Sequence, residues 1–127
     1  MSHVWPDIEN VIAGLLRAAE VAEHIGTDLP PNLRYRMPLV LVERRGGTGS
    51  SWLDSPVVLV DVLSSRPGVA KTLSNSIRDL LTGDPLALWP IDRATVVAGP
   101  QEIPHGDSGV LRWTTTYEVE TRRVAAA

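Results

Sequence analysis

Residues 110–124 read VLRWTTTYEVETRRV, and their two-residue period is the strongest signal in the chain. Leu111, Trp113, Thr115, Tyr117 and Val119 alternate with Arg112, Thr114, Thr116, Glu118 and Glu120. Successive side chains of a strand point to opposite sides, so this alternation predicts one packed face and one polar face. A packed face needs a covering layer, which the rest of the chain has to supply.

Working outward, residues 93–99 predict a strand closed by Gly99-Pro100, and the loop QEIPHGDSG (101–109) joins it to the alternating segment. Further back, PVVLVDVL (56–63) is a strand that passes through SSRPG (64–68) into a helix over 67–82. Val69, Leu73, Ile77, Leu80 and Leu81 form the apolar stripe of that helix, and Gly83 ends it. Residues 39–42 predict a buried strand whose continuation, Glu43, Arg44 and Arg45, runs out into solvent. A first helix is expected over 6–25. Pro6 is tolerated in the first turn, Asp7 and Glu9 sit at the positive end of the dipole, and Gly26 is a natural stop. Its stripe is Ile8, Val11, Ile12, Leu15, Ala19 and Ala22. TDLPPNLRYR (27–36) has no periodicity and reads as a partly extended loop. GGTGSSWLDS (46–55) reads as a Gly/Ser-rich, mobile arm carrying Trp52, and 124–127 as a frayed tail.

The order is therefore α-β-β-α-β-β within a single domain, residues 1–127. The expected class is α+β, with a four-stranded, mixed or mainly antiparallel sheet and two helices packed on one face.

With 127 residues the chain can bury a real core, and 43 % hydrophobic against 21 % charged residues argues against disorder. No apolar run approaches the roughly 20 residues that span a bilayer, so no membrane partner is expected. The beginning, MSHVWPDIEN, lacks the basic-then-apolar pattern of a secretion signal. The absence of Cys rules out a disulfide framework, a thiolate metal site and a Cys nucleophile. These features fit folding in a reducing cytoplasm. The net charge of −3 gives no support to nucleic-acid binding, which draws most of its affinity from phosphate contacts. Of the basic residues only Lys71 is Lys; the rest are Arg, whose planar fork suits interface ion pairs with carboxylates.

The search for chemistry returns little. His3, His24 and His105 have no spacing that places two imidazoles on one metal, and His24 suits a helix C-terminus. His105, Asp107 and Ser108 lie in a loop with no nucleophile elbow around the serine. The Gly-rich arm lacks the Lys-Ser/Thr of a phosphate-binding loop. Asp61 interrupts an apolar strand. It reads as a residue of the polar face or a strand end, paired with an Arg such as Arg112 or Arg93. A metal-dependent nuclease carboxylate is the sharper alternative, but ATVVAG (94–99) offers neither the second acid nor the Lys that such a site needs. No catalytic residue, metal site or cofactor is expected.

Trp5, Trp52, Trp89 and Trp113 stand in a chain without Phe. Trp113 alternates inward and belongs to the core, and Trp5 can staple the start of the first helix. Trp52, in the Gly-rich arm, is of the kind that anchors interfaces.

The segment VVLVDVLSSRPGVAKTLSNSIRDLL, followed by GP, a short acidic loop and VLRWTTTYEVETR, resembles the tail terminator proteins of siphophages, especially those of actinobacterial hosts. The matching positions are Gly99, Pro100, Pro104, Asp107, Arg112, Thr115, Tyr117 and Val119, and the resemblance covers about residues 56–123. The arm with Trp52 does not map onto the family pattern. The resemblance implies a structural virion protein at the tail–neck junction, made in the host cytoplasm, and no enzyme. It would form a ring, usually of six subunits, that caps the tail tube, stops its polymerisation and joins the tail to the neck. Its partners would be itself, the tube protein and a neck connector; DNA could pass through the ring without specific recognition. A ring needs two different patches per subunit. The candidate interface residues are Arg44, Arg45, Trp52, Asp61, Arg112, Glu118, Glu120 and Arg122; simple solvation of a charged face is the competing account. Another neck completion protein, or a small ligand-binding or nucleic-acid-processing domain, stays open beside this.

Overall fold

The computed structural model describes residues 3–49, 53–104, 106, 109–122 and 124–125. The chain runs β1 (His3–Val4), α1 (Ile8–Ala18), β2 (His24–Gly26), β3 (Leu39–Gly49), β4 (Leu53–Ser64), α2 (Pro67–Leu81), β5 (Ile91–Ile103), β6 (Leu111–Arg122) and β7 (Val124–Ala125). Short 3-10 turns occupy Leu33–Tyr35 and Pro85–Leu88. The main sheet has five strands in the order β2-β3-β4-β6-β5, and β1 pairs separately with β7. Within the main sheet only the β2–β3 pair is parallel. The class is α+β as expected, but the sheet has five strands rather than four.

The extra strand comes from the part assigned to the first helix. Asp7 caps α1, its carboxylate accepting from the Asn10 backbone N–H at 3.4 Å and from Asn10 Nδ2 at 2.7 Å. The helix stops at Ala18 because Glu20 takes up a left-handed conformation, φ 54°. Glu20 N–H then donates to Arg17 O at 3.0 Å and Val21 N–H to Leu16 O at 3.3 Å, the paired bonds of a Schellman cap. Glycine usually fills this position; a glutamate there leaves no signal in the sequence. The chain released after the cap forms β2, with His24, Ile25 and Gly26 opposite Leu39, Val40 and Leu41. His24 is thus a strand residue, not a helix C-terminal one. Arg17 Nη2 donates to Ile25 O at 2.8 Å and ties the cap to this edge.

Both helices cover one face. Val40 lies opposite Val62, Val42 opposite Val60, and Val58 opposite Tyr117, so these side chains share a side of the sheet. They form one core with Ile8, Ile12 and Leu16 of α1 and Ala70, Ile77 and Leu81 of α2. Burial of each large aliphatic side chain here contributes about 1.5–3 kcal/mol. The buried line of α2 runs through Ala70, Ser74, Ile77 and Leu81, with Val69, Leu73 and Leu80 at its margin.

The opposite face is not simply solvated. The 3-10 turn at Leu33–Tyr35 lays Leu33 against Leu39, Leu63 and Val110, with Met37 and Leu41 alongside. The strands also run longer than their apolar stretches. Residues 46–49 and 53–55 continue β3 and β4, with Gly47, Thr48 and Gly49 opposite Pro56, Ser55 and Asp54. Most of the expected mobile arm is therefore paired strand. Gly47, at φ +116°, makes the bulge, since a Cβ there would overlap the Ser55 carbonyl oxygen. Likewise β5 does not close at Gly99-Pro100 but passes through it to Ile103, with a register shift between Ala98 and Gln101.

Candidate functional site

The polar side of β4 and β6 meets at Asp61. In register, Asp61 faces Leu41 on one neighbour and Thr114 on the other, while Leu63 faces Arg112. Thr114 Oγ1 donates to Asp61 Oδ1 at 2.6 Å, and Arg112 Nη2 donates to Asp61 Oδ2 at 2.5 Å. The Asp61 side chain is 3 % exposed and that of Arg112 is 29 % exposed, so the carboxylate is covered while the guanidinium reaches outward. Of the two partners expected for Asp61, the fold selects Arg112. Among the described residues the Arg112 Nε is buried without an acceptor. A cavity of about 340 Å³ opens over the pair, walled by Thr27, Leu29, Leu41, Glu43 and Arg45.

The other candidate residues are dispersed. Arg44 is engaged within the chain: Nη1 and Nη2 donate to Asp54 at 2.9 and 3.1 Å, and Nε donates to Gly46 O at 3.2 Å. Its backbone N–H donates to Glu9 Oε2 at 3.2 Å. Arg45 Nε pairs with Glu43 Oε1 at 3.0 Å and Arg122 Nε with Asp92 Oδ2 at 2.9 Å. Glu118 is exposed opposite Thr95, and Glu120 is half-buried opposite Arg93. Of the described candidates, only Asp61, Arg112 and Arg45 converge on one cavity. Trp52, His105, Asp107 and Ser108 lie outside the described residues. Trp113 is half-buried against the core, 5.5 Å from Lys71 Nζ.

Sequence reasoning marked Trp89 with the other Trp residues as a candidate for assembly but not the flank at β5 around it. Leu86 is 90 % exposed, Trp89 67 % and Val97 58 %, all on the segment that leads into or forms this edge. Beside it lies a groove of about 400 Å³ whose lining includes Arg78, Arg93, Leu81, Leu88 and Val96. DPLALWP contains apolar residues without a helical or strand period, a mismatch that, with Trp89, hints at this flank.

Among the described residues no three His, Asp or Glu gather as metal ligands, and no helix is long and apolar enough to cross a membrane. Burial pushes the Tyr117 phenol well above its ordinary range; Tyr117 sits in the helix-covered core and lines no cavity described above.

Comparison with protein families and with curated proteins finds no match. A chain of the solved virion of a native gene transfer agent (GTA) particle has a similar fold, with TM-score 0.61 over 91 % of this chain and 94 % of that one. The sequences are 12 % identical, so the likeness is one of fold.

Proposed function

We propose that this chain is a structural virion protein, and specifically a tail terminator: a subunit of a ring that caps the tail tube, stops its growth and joins it to the neck. The observation that carries this is the nearly end-to-end fold likeness to a chain of a gene transfer agent virion, covering 91 % of one chain and 94 % of the other. The tail-terminator resemblance over residues 56–123 narrows it. Among the described residues no acid, base and nucleophile converge on one cavity, and the candidate charges are dispersed, which favours assembly over catalysis.

Light scattering over a range of concentrations tests the ring. A mass near six subunits, or growth toward it on adding tail-tube protein, is the expected result. A chain that stays monomeric and fails to cap tube protein overturns the proposal. Binding to a neck connector but not to tube ends would make it another neck completion protein.

A further inference from the structure

We propose that the two ends of the five-stranded sheet are the complementary halves of one contact between copies of this chain. The Arg78–Arg93 groove beside β5 receives the acidic turn bearing Glu20 and Glu23 of the next copy. This rests on the self-assembly reading above and deepens it.

Three observations lead here. First, among the described residues β5 pairs only with β6, so its outer edge keeps unpaired backbone donors and acceptors along Ile91–Ile103. Bulges, Pro and charge blunt such edges, and β5 has Pro100 and three register shifts. It nevertheless turns Val97 outward at one of these shifts, with Trp89 exposed just before the strand. Second, the groove along this edge is basic over an apolar floor. Arg78 and Arg93 are exposed, Leu81, Leu88 and Val96 lie between them, and no carboxylate is in the lining. Asp79 and Glu120 lie close in sequence or register but do not line it.

Third, the opposite end of the sheet carries exposed carboxylates. Glu20, Glu23 and Asp28 are exposed around β2, and the Glu23 side chain is 87 % accessible. Arg17 is occupied by the Ile25 carbonyl, while His24 and Arg36 share a cavity with Glu23 and Asp28. Glu20 also holds a left-handed conformation that glycine would adopt without strain, so the position keeps a carboxylate at a conformational cost. Two unlike, oppositely charged flanks at the two ends of one sheet form a heterologous contact, the kind that repeats head to tail and closes into rings.

Charge reversal tests this. Arg78→Glu with Arg93→Glu, and Glu20→Arg with Glu23→Arg, should each weaken self-association at least about tenfold, whether measured in solution or on tube ends. An equal mixture of the two should recover the wild-type mass, because every contact in an alternating ring is again acid to base. Either double variant assembling like the wild type while keeping its circular dichroism overturns the contact, as does a folded pair that mixing fails to rescue.

If a reversed variant unfolds, single cysteines decide. The chain has no Cys of its own, so Arg93→Cys mixed with Glu23→Cys should give a cross-linked heterodimer under mild oxidation, well above either variant alone. No such preference overturns the contact. A wild type that forms rings indifferent to these changes loses the contact and keeps the terminator reading. A wild type that never self-associates, alone or on tube protein, loses both.

Discussion

Asp61 and Arg112 lie 51 positions apart in sequence, yet Arg112 Nη2 donates to Asp61 Oδ2 at 2.5 Å across the junction of β4 and β6. The carboxylate has two donors only in the observed register, with Asp61 opposite Thr114 and Leu63 opposite Arg112. A slip of one residue would turn Asp61 into the helix-covered core, away from Arg112 and Thr114. The pair therefore specifies how the central strands align, whether or not Arg112 also meets another subunit.

Asp61→Ala should destabilise the protein by about 2–4 kcal/mol in urea unfolding, because it leaves Arg112 and the buried Thr114 hydroxyl without their acceptor. Replacing Asp61 by Leu together with Arg112 by Met should cost much less, since no unpaired charge remains. Equal losses in the two proteins would show that the pair does not set the cost.

Tyr117 is fully buried, and burial raises its phenol above the ordinary 10.0. Below that pH both folded and unfolded chains carry the neutral phenol and its contribution is intact. Above it the unfolded chain ionises first, so stability should fall by up to about 1.4 kcal/mol per pH unit as pH rises past 10. Denaturation between pH 9 and 11 should show this slope, and Tyr117→Phe should reduce it.

Gly99 sits at φ +87°, and a Cβ there would overlap the Thr114 carbonyl oxygen. Gly99→Ala should cost about 1–3 kcal/mol through strain and displacement of β5 from β6. Gly47→Ala should disturb only the distal β3–β4 hairpin, which amide exchange would separate from a global effect.

Glu20→Gly should stabilise the monomer by about 0.5–1 kcal/mol, because relief of the left-handed strain exceeds the added freedom of the unfolded chain. Thermal or urea unfolding checks this. A gain in stability with a loss in self-association would identify Glu20 as a residue kept for assembly.

Much of the fold was legible along the chain. The period of β6, the start of α2 at Pro67 and the apolar cores of β3 and β4 follow from local spacing, because side-chain direction in a strand or helix is set by position alone. What misled was also local. α1 ends on a glutamate in a cap that glycine normally fills, so its helical stripe seemed to continue into what is β2. Gly99-Pro100 looked like a strand end and is a bulge within β5, since the long partner β6 keeps pairing beyond it.

The sequence alone determined which residues need burial, that two helices and a sheet must share it, and that Asp61 needs a partner. Only the tertiary structure decided which partner, which strands lie at the edges, and that Leu33 packs against Leu39, Leu63 and Val110 on the face away from the helices. Those outcomes depend on register and strand order, which arise from contacts dozens of residues apart. The same strand order puts Glu20 and Glu23 at one end of the sheet and Arg78 and Arg93 at the other, a separation of charge that no local stretch contains.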